Sequence, residues 1–253
     1  MSALPERSDG PAAPKVAVVS GGSRGLGRTL VERLLADGWR VATFSRSANA
    51  FTTAMAEEYP GSFHWERADL GEPDAMRVFV RTVGRLFGRV DLLVNNAGVL
   101  HQELLLTTPP KQIDSLVTNN LTSPILLTQA CTRLMTRHGG GNIINISSIN
   151  AIRGFRGVSV YAAAKAGLDG FSRSLARELG TFNIRVNSIV PGFFDSDMTA
   201  DVTERNREKI QHRTPLGRLG TAEEIADAIL FLTSARAHFV TGQSLVIDGG
   251  ITC

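Results

Sequence analysis

The stretch Val16-Ala17-Val18-Val19-Ser20-Gly21-Gly22-Ser23-Arg24-Gly25-Leu26-Gly27 runs from an apolar, β-branched segment straight into a glycine-rich turn, and a helical pattern follows at once. An unbroken apolar run of this length fits a strand covered on both faces better than one alternating between core and water. Glycines at 21, 25 and 27 let the backbone turn tightly and approach a pyrophosphate held at the helix N-terminus. Any tight turn can use glycine, so the motif takes its meaning from its place between the first strand and the first helix. In that place it points to dinucleotide binding, with Ser23, Arg24 and Leu26 beside the glycines in the binding turn.

Outward from this turn, short apolar runs alternate with longer amphipathic ones. Val16–Ser20, Arg40–Ser45, Phe63–Ala68, Val90–Asn95, Asn142–Ser147, Arg185–Val190 and Ser244–Asp248 read as strands, and Gly27–Asp37, Gln112–Arg137, Val160–Leu179 and Ala222–Ser234 as helical stretches among them. The alternation predicts right-handed crossovers and an α/β fold with a parallel sheet covered on both faces. No internal repeat is visible. Residues 1–14 hold three prolines and little apolar content, and are expected to form a flexible tail ahead of one domain over 15–253.

Composition narrows the function classes. With 253 residues and 43% apolar content the chain can bury one sizeable core. No run of 18 apolar residues and no charged-then-apolar leader stands in it, so a soluble, cytoplasmic protein is expected, with no membrane partner. Cys131 and Cys253 are too few for a disulfide framework or a zinc site, and no metal is expected. The net charge of +3 comes from scattered basic residues with acidic ones among them, which argues for a mixed-sign surface and against nucleic acid.

The end of the second strand bears on which dinucleotide is bound. An NAD site places an acidic residue about twenty positions after the glycine turn, on the ribose 2′-hydroxyl. Here the strand ends in Ser45-Arg46. An arginine there can clamp a 2′-phosphate, and Arg24 in the turn can reach the same group, so NADPH/NADP+ is the expected cofactor.

Further on, Tyr161 and Lys165 stand four apart in the alanine-rich stretch SVYAAAK, on one face of a helix. A cation beside a phenol favours the phenolate and lowers its pKa toward the working range. Taken alone, the pair is also what a packed tyrosine ring with a lysine reaching water looks like.

Tyr161-x-x-x-Lys165, the turn SGGSRGLG, Asn95-Asn96-Ala97-Gly98 after the fourth strand and Pro191-Gly192 after the sixth occur in one chain and in this order. With them the sequence resembles the short-chain dehydrogenase/reductases over nearly everything after the tail. Within that family it is most similar to the bacterial 3-oxoacyl-acyl-carrier-protein reductases, through "YAAAKAGLDGFSRSLAREL", "PGFFDSDMT" and "VTGQSLVIDGG". The resemblance implies a Rossmann-type, doubly wound, seven-stranded sheet, a homotetramer, and a catalytic tetrad of Asn120, Ser148, Tyr161 and Lys165. It implies Asp69 and Leu70 at the adenine ring, Asn96, Ala97 and Gly98 in the cofactor cleft, and Pro191 and Gly192 at the nicotinamide. Tyr161 would donate a proton to a carbonyl as hydride arrives, Lys165 would stabilise the phenolate and hold the nicotinamide ribose, and Ser148 would bind the substrate oxygen.

Other expectations depend on particular residues. Pro124 has no N–H to bond the carbonyl of Asn120 four residues earlier, which leaves an acceptor for a water linking Lys165 to solvent or an ordinary kink facing bulk water. Phe193, Phe194 and Met198, followed by a polar stretch to Arg213, suit a mobile lid over an apolar acyl site. The family meets an acidic carrier protein with two arginines. The first falls near Arg137, the second position reads Phe182, and Arg153 and Arg156 are candidates to compensate. The activity implied is NADPH-dependent reduction of a 3-oxoacyl thioester on a carrier protein or coenzyme A. Alternatives are another ketone or alcohol substrate (polyketide, steroid or sugar) and a catalytically silent NADPH-binding regulatory protein.

Overall fold

The computed structural model describes residues 13–194 and 203–253. Seven strands, β1 Val16–Ser20, β2 Arg40–Ser45, β3 Phe63–Arg67, β4 Leu92–Asn95, β5 Gly141–Ile146, β6 Ile184–Pro191 and β7 Ser244–Ile247, form one sheet in the order β3-β2-β1-β4-β5-β6-β7. Every pairing is parallel. The chain moves outward from β1 to β3, returns, and moves outward the other way from β4, so the strand order reverses between β1 and β4. That reversal opens a crevice at the carboxyl ends of the strands, where ligands bind in such sheets.

Both faces are covered, which is why β1 is apolar from Val16 to Val19. Ala17 and Val19 pack with α1 (Gly25–Ala36) and α8 (Ala222–Thr233), while Val16 and Val18 pack with α3 (Pro73–Phe87), α5 (Ser123–Met135) and α6 (Ser159–Leu179). A buried polar chain ties the second layer to the sheet. The amide nitrogen of Asn95 on β4 donates to Thr128 of α5 (2.9 Å) and to Asn145 of β5 (2.7 Å). Asn145 in turn donates to Ser172 of α6 (2.7 Å), and Ser188 of β6 donates to the same hydroxyl (2.9 Å). These bonds fix α6, the helix that carries Tyr161 and Lys165, against three strands.

The helical stretch read over Gln112–Arg137 is not one helix. The structure has α4 (Pro110–Val117), a π-turn over Thr118–Thr122, and then α5 with Pro124 in its first turn. Proline cannot donate the bond that would carry an α-helix through residue 120, and the wider turn absorbs the interruption. Among the described residues three further α-helices lie outside the stretches picked from the pattern: α2 (Ala50–Glu58), α3 and α7 (Glu204–Arg213). Of the residues expected to form an N-terminal tail, 1–12 lie outside the described residues, as does Met198. No helix among the described residues is long and apolar enough to cross a membrane.

Candidate active site

At the crevice a cleft of about 520 Å³ is lined by Gly21, Ser23, Arg24, Gly25 and Leu26 of the turn, by Ser45 and Arg46 after β2, by Asp69 and Leu70 after β3, and by Asn96, Ala97 and Gly98 after β4. The ends of β1 and β4 are laced together beneath it. The Ser20 hydroxyl accepts from the N–H groups of Asn96 (3.0 Å) and Ala97 (2.9 Å), and the Asn96 amide donates to the Ser20 carbonyl (2.9 Å). Gly27 sits below the cleft rather than in its lining. A β-carbon there would stand 2.2 Å from the Gly21 carbonyl oxygen, so this glycine lets α1 close against the turn instead of admitting a ligand.

The cleft suits a dinucleotide on three structural counts. No side chain caps the N-terminus of α1 and its first turn holds no acidic residue, whereas α2 and α8 each close theirs with a capping box. The unfilled N–H groups and the positive end of the helix dipole are free to meet an anion. Nothing lies within 4 Å of where a β-carbon of Gly25 would stand. Arg24 and Arg46 both line this cleft. Ser45 lines the cleft with its hydroxyl donating to the Ser47 carbonyl (2.9 Å) and accepting from the Trp65 indole (2.8 Å). The lining residues Asn49 and Asn119 carry no motif in the sequence. Asn49 caps α2 and also donates to the Ser23 carbonyl (2.9 Å), a bond across the turn that only the fold brings about.

A second, smaller cavity of about 110 Å³ adjoins the cleft through Leu26, Asn96, Gly98 and Phe194, and contains Asn120, Ser148, Tyr161, Lys165, Pro191, Gly192 and Phe193. Tyr161, Lys165 and Asn120 are almost wholly buried. The Lys165 ammonium donates to the Ile146 carbonyl at 2.7 Å and stands 5.8 Å from the centre of the Tyr161 ring. Burial pulls its pKa down to about 8, opposed by the charge of Asp169.

The expectation that the lysine lowers the pKa of the phenol is corrected here. Burial holds the Tyr161 phenol above its ordinary value, and the opposing influence is a hydrogen bond with Ser148. With its ammonium bound to the Ile146 carbonyl, Lys165 does not outweigh desolvation.

The Asn120 side chain is engaged by the backbone around it. Its amide nitrogen donates to the carbonyls of Val99 (2.8 Å) and Leu116 (2.9 Å), and its oxygen accepts from the Val99 N–H (3.2 Å). The side chain therefore braces the loop after β4 against the π-turn. Gly98 must be glycine for this contact, since a β-carbon there would meet the Asn120 oxygen at 2.6 Å.

On the far side of the cavity Phe193 meets Phe155 edge-on at 6.5 Å between ring centres, and Phe194 pairs with Gly220. Phe182 is half exposed and Arg137 lies in the short turn ending α5, while Arg153 donates to the Ile251 carbonyl (2.7 Å) and lines a separate hollow of about 580 Å³ with Arg213. Among the described residues no group of His, Cys, Asp and Glu is arranged to hold a metal.

Comparison with known proteins agrees with this geometry. Residues 21–252 match a family model described as enoyl-(acyl carrier protein) reductase. The chain is 38% identical over 240 residues to the 3-oxoacyl-[acyl-carrier-protein] reductase of Escherichia coli K12, covering 94% of this chain and 97% of that protein. It is 39% identical over 238 residues to carbonyl reductase family member 4 of Danio rerio, covering 94% and 98%. A variant of a Serratia marcescens short-chain dehydrogenase/reductase superposes with a TM-score of 0.89 at 36% identity, over 96% of this chain and 100% of that one. A blue fluorescent protein from a metagenomic library, solved in complex with NADPH, does so with 0.89 at 37% identity, over 94% and 98%. Near-complete coverage in sequence and in structure, on a sheet whose reversal point opens into the lined cleft, shows that the chain belongs to the short-chain dehydrogenase/reductases, a family of oxidoreductases.

Proposed function

We propose that the protein reduces 3-oxoacyl thioesters to 3-hydroxyacyl thioesters with NADPH. The observation that carries this reading is the meeting of Tyr161, Ser148 and Lys165 in a small buried cavity that adjoins an arginine-bearing cleft. Gly21, Ser23, Gly25 and Leu26 would hold the pyrophosphate, Arg24 and Arg46 the 2′-phosphate, Asp69 and Leu70 the adenine, and Pro191 and Gly192 the nicotinamide side. When bound, NADPH supplies the hydride. Tyr161 gives its proton to the carbonyl oxygen, and its raised pKa suits that task because the phenol is protonated throughout the neutral range. Ser148 hydrogen-bonds the same oxygen, and the Lys165 charge offsets the phenolate left behind. The Asn120 side chain serves by fixing the π-turn, whose carbonyl at 120 cannot bond the nitrogen of Pro124 and remains an acceptor for a water beside Lys165.

The thioester assignment is supported by the Escherichia coli relative, which acts on carrier-bound 3-oxoacyl groups by its name. Arg153 and Arg156, in the loop between Ser148 and Tyr161, would offer positive charge to an acidic carrier protein or to coenzyme A phosphates. A free carbonyl compound is the second reading, favoured by Phe182 at a docking position and by the carbonyl reductase of Danio rerio among the relatives. Incubation with NADPH and a panel of 3-oxoacyl thioesters and free ketones, following loss of the reduced cofactor, tests the proposal. Turnover of thioesters above the free ketones supports it, and turnover of free ketones alone replaces it with the second reading.

A further inference from the structure

One buried carboxylate has no part in the chemistry above. Asp169 lies on α6 four residues after Lys165, and each side chain is only 4% exposed. The Ser147 hydroxyl donates to one Asp169 oxygen at 2.9 Å, and the other oxygen has no hydrogen-bond partner among the described residues. A buried carboxylate with an unfilled acceptor weakens packing unless a cation compensates it. The four-residue spacing puts the Lys165 ammonium on the same face of the helix. Elements packed around Lys165 bring Gly98 from the loop after β4, Asn120 from the π-turn, and Ser147 and Ser148 after β5, none of them charged. Among the described residues the titratable neighbours are Tyr161 and Asp169, both on α6 itself.

Two consecutive residues where β5 ends grip α6: Ile146 takes the Lys165 ammonium through its carbonyl, and the Ser147 hydroxyl ties Asp169, while Ser148 lines the cavity with Tyr161. The Ser147 contact ties the helix to the strand end and places a carboxylate one turn behind the lysine.

We propose that Asp169 is a positioning residue: clamped by Ser147, it is the counter-charge that keeps the Lys165 ammonium protonated and directed into the catalytic cavity. The proposal rests on the reading of Lys165 as part of the reductase site. Its sign is fixed by the geometry. Burial disfavours the ammonium and the carboxylate favours it, so removing the carboxylate's charge makes Lys165 lose its proton at lower pH.

The test needs no substrate. The chain's lysines are Lys15, Lys111, Lys165 and Lys209, so a 13C-lysine NMR titration resolves them and Lys165→Met assigns the signal. The Lys165 midpoint is expected near 8 in the parent. In Asp169→Asn, which keeps an acceptor for Ser147, it should fall by about one unit, a tenfold change in the ionisation constant. Asp169→Glu should restore it. Should Asn at 169 prevent folding, Asp169→Ser makes the same comparison. In turnover assays with any accepted carbonyl substrate, the alkaline limb of kcat/KM should move down in step with the midpoint. An unmoved midpoint in the uncharged variants, or a loss of rate equal at every pH, overturns the proposal. If no substrate is turned over while the midpoint still moves, the reductase reading fails and the electrostatic pairing stands.

Discussion

At the residue scale the account depends on a phenol and two arginines. Tyr161→Phe keeps the ring in its buried place and removes the transferable proton. Turnover should fall by roughly two to four orders of magnitude while NADPH affinity, read by fluorescence titration, stays within about threefold. Because burial raises the phenol's pKa, reduction should not lose rate through Tyr161 between mildly acidic and neutral pH. The reverse oxidation, which needs the phenolate, should speed up as pH rises. A reverse rate that is flat or falls with pH would show that another group accepts the proton. Cofactor choice is a separate matter of charge. NADPH should be preferred to NADH by more than about tenfold in kcat/KM, and Arg46→Asp should shrink or invert that ratio, since the arginine proposed to hold the 2′-phosphate is replaced by a carboxylate that would repel it. Equal use of both cofactors by the parent enzyme would remove the reason for giving Arg46 this role.

At the element scale the informative piece is the interrupted helix after β4. Apolar periodicity alone joins residues 112–137, yet Pro124 marks the point where an α-helix cannot continue, and the structure answers with a π-turn. The strand–turn–helix signature around Gly21 was legible because close packing and backbone turning demand specific residues there. Helix α7 was not legible, since none of its side chains is buried and no apolar stripe marks it. Helix α3 begins with Pro73 and ends at Gly88 in a left-handed conformation, so its boundaries were readable in principle. The tyrosine and lysine stood out by their spacing and the serine only through the family resemblance, but the bracing role of Asn120 and the clamp on Asp169 arise between separate segments of the chain. For the same reason Asn120→Ala should act mainly through structure. It leaves the Val99 N–H and the carbonyls of Val99 and Leu116 without their partner, at a cost of roughly 1–3 kcal/mol in denaturant unfolding. A variant as stable as the parent would mean that the loop after β4 is held by other contacts.

At the scale of the whole molecule, a doubly wound sheet brings the glycine turn, the end of β2 and the far helix α6 to one crevice, although α6 lies more than a hundred residues beyond the other two. The same assembly sets Arg153 and Arg156 in the loop before α6. Reversing both charges should weaken use of carrier-bound or coenzyme A thioesters, most strongly at low salt, and spare a small uncharged ketone. Equal losses on all substrates, or none, would separate these arginines from docking. Light scattering should find a homotetramer, as the family resemblance implies, and a monomer at working concentration would contradict that expectation. Isotope transfer shows whether this crevice moves hydride from NADPH to a ketone carbon. With NADPH carrying deuterium at the transferred position and a 3-oxoacyl thioester as substrate, mass spectrometry should find one deuterium on carbon 3 of a 3-hydroxyacyl product, and almost none with Tyr161→Phe. Deuterium found only in the saturated product of an enoyl thioester, with the ketone left untouched, would contradict it.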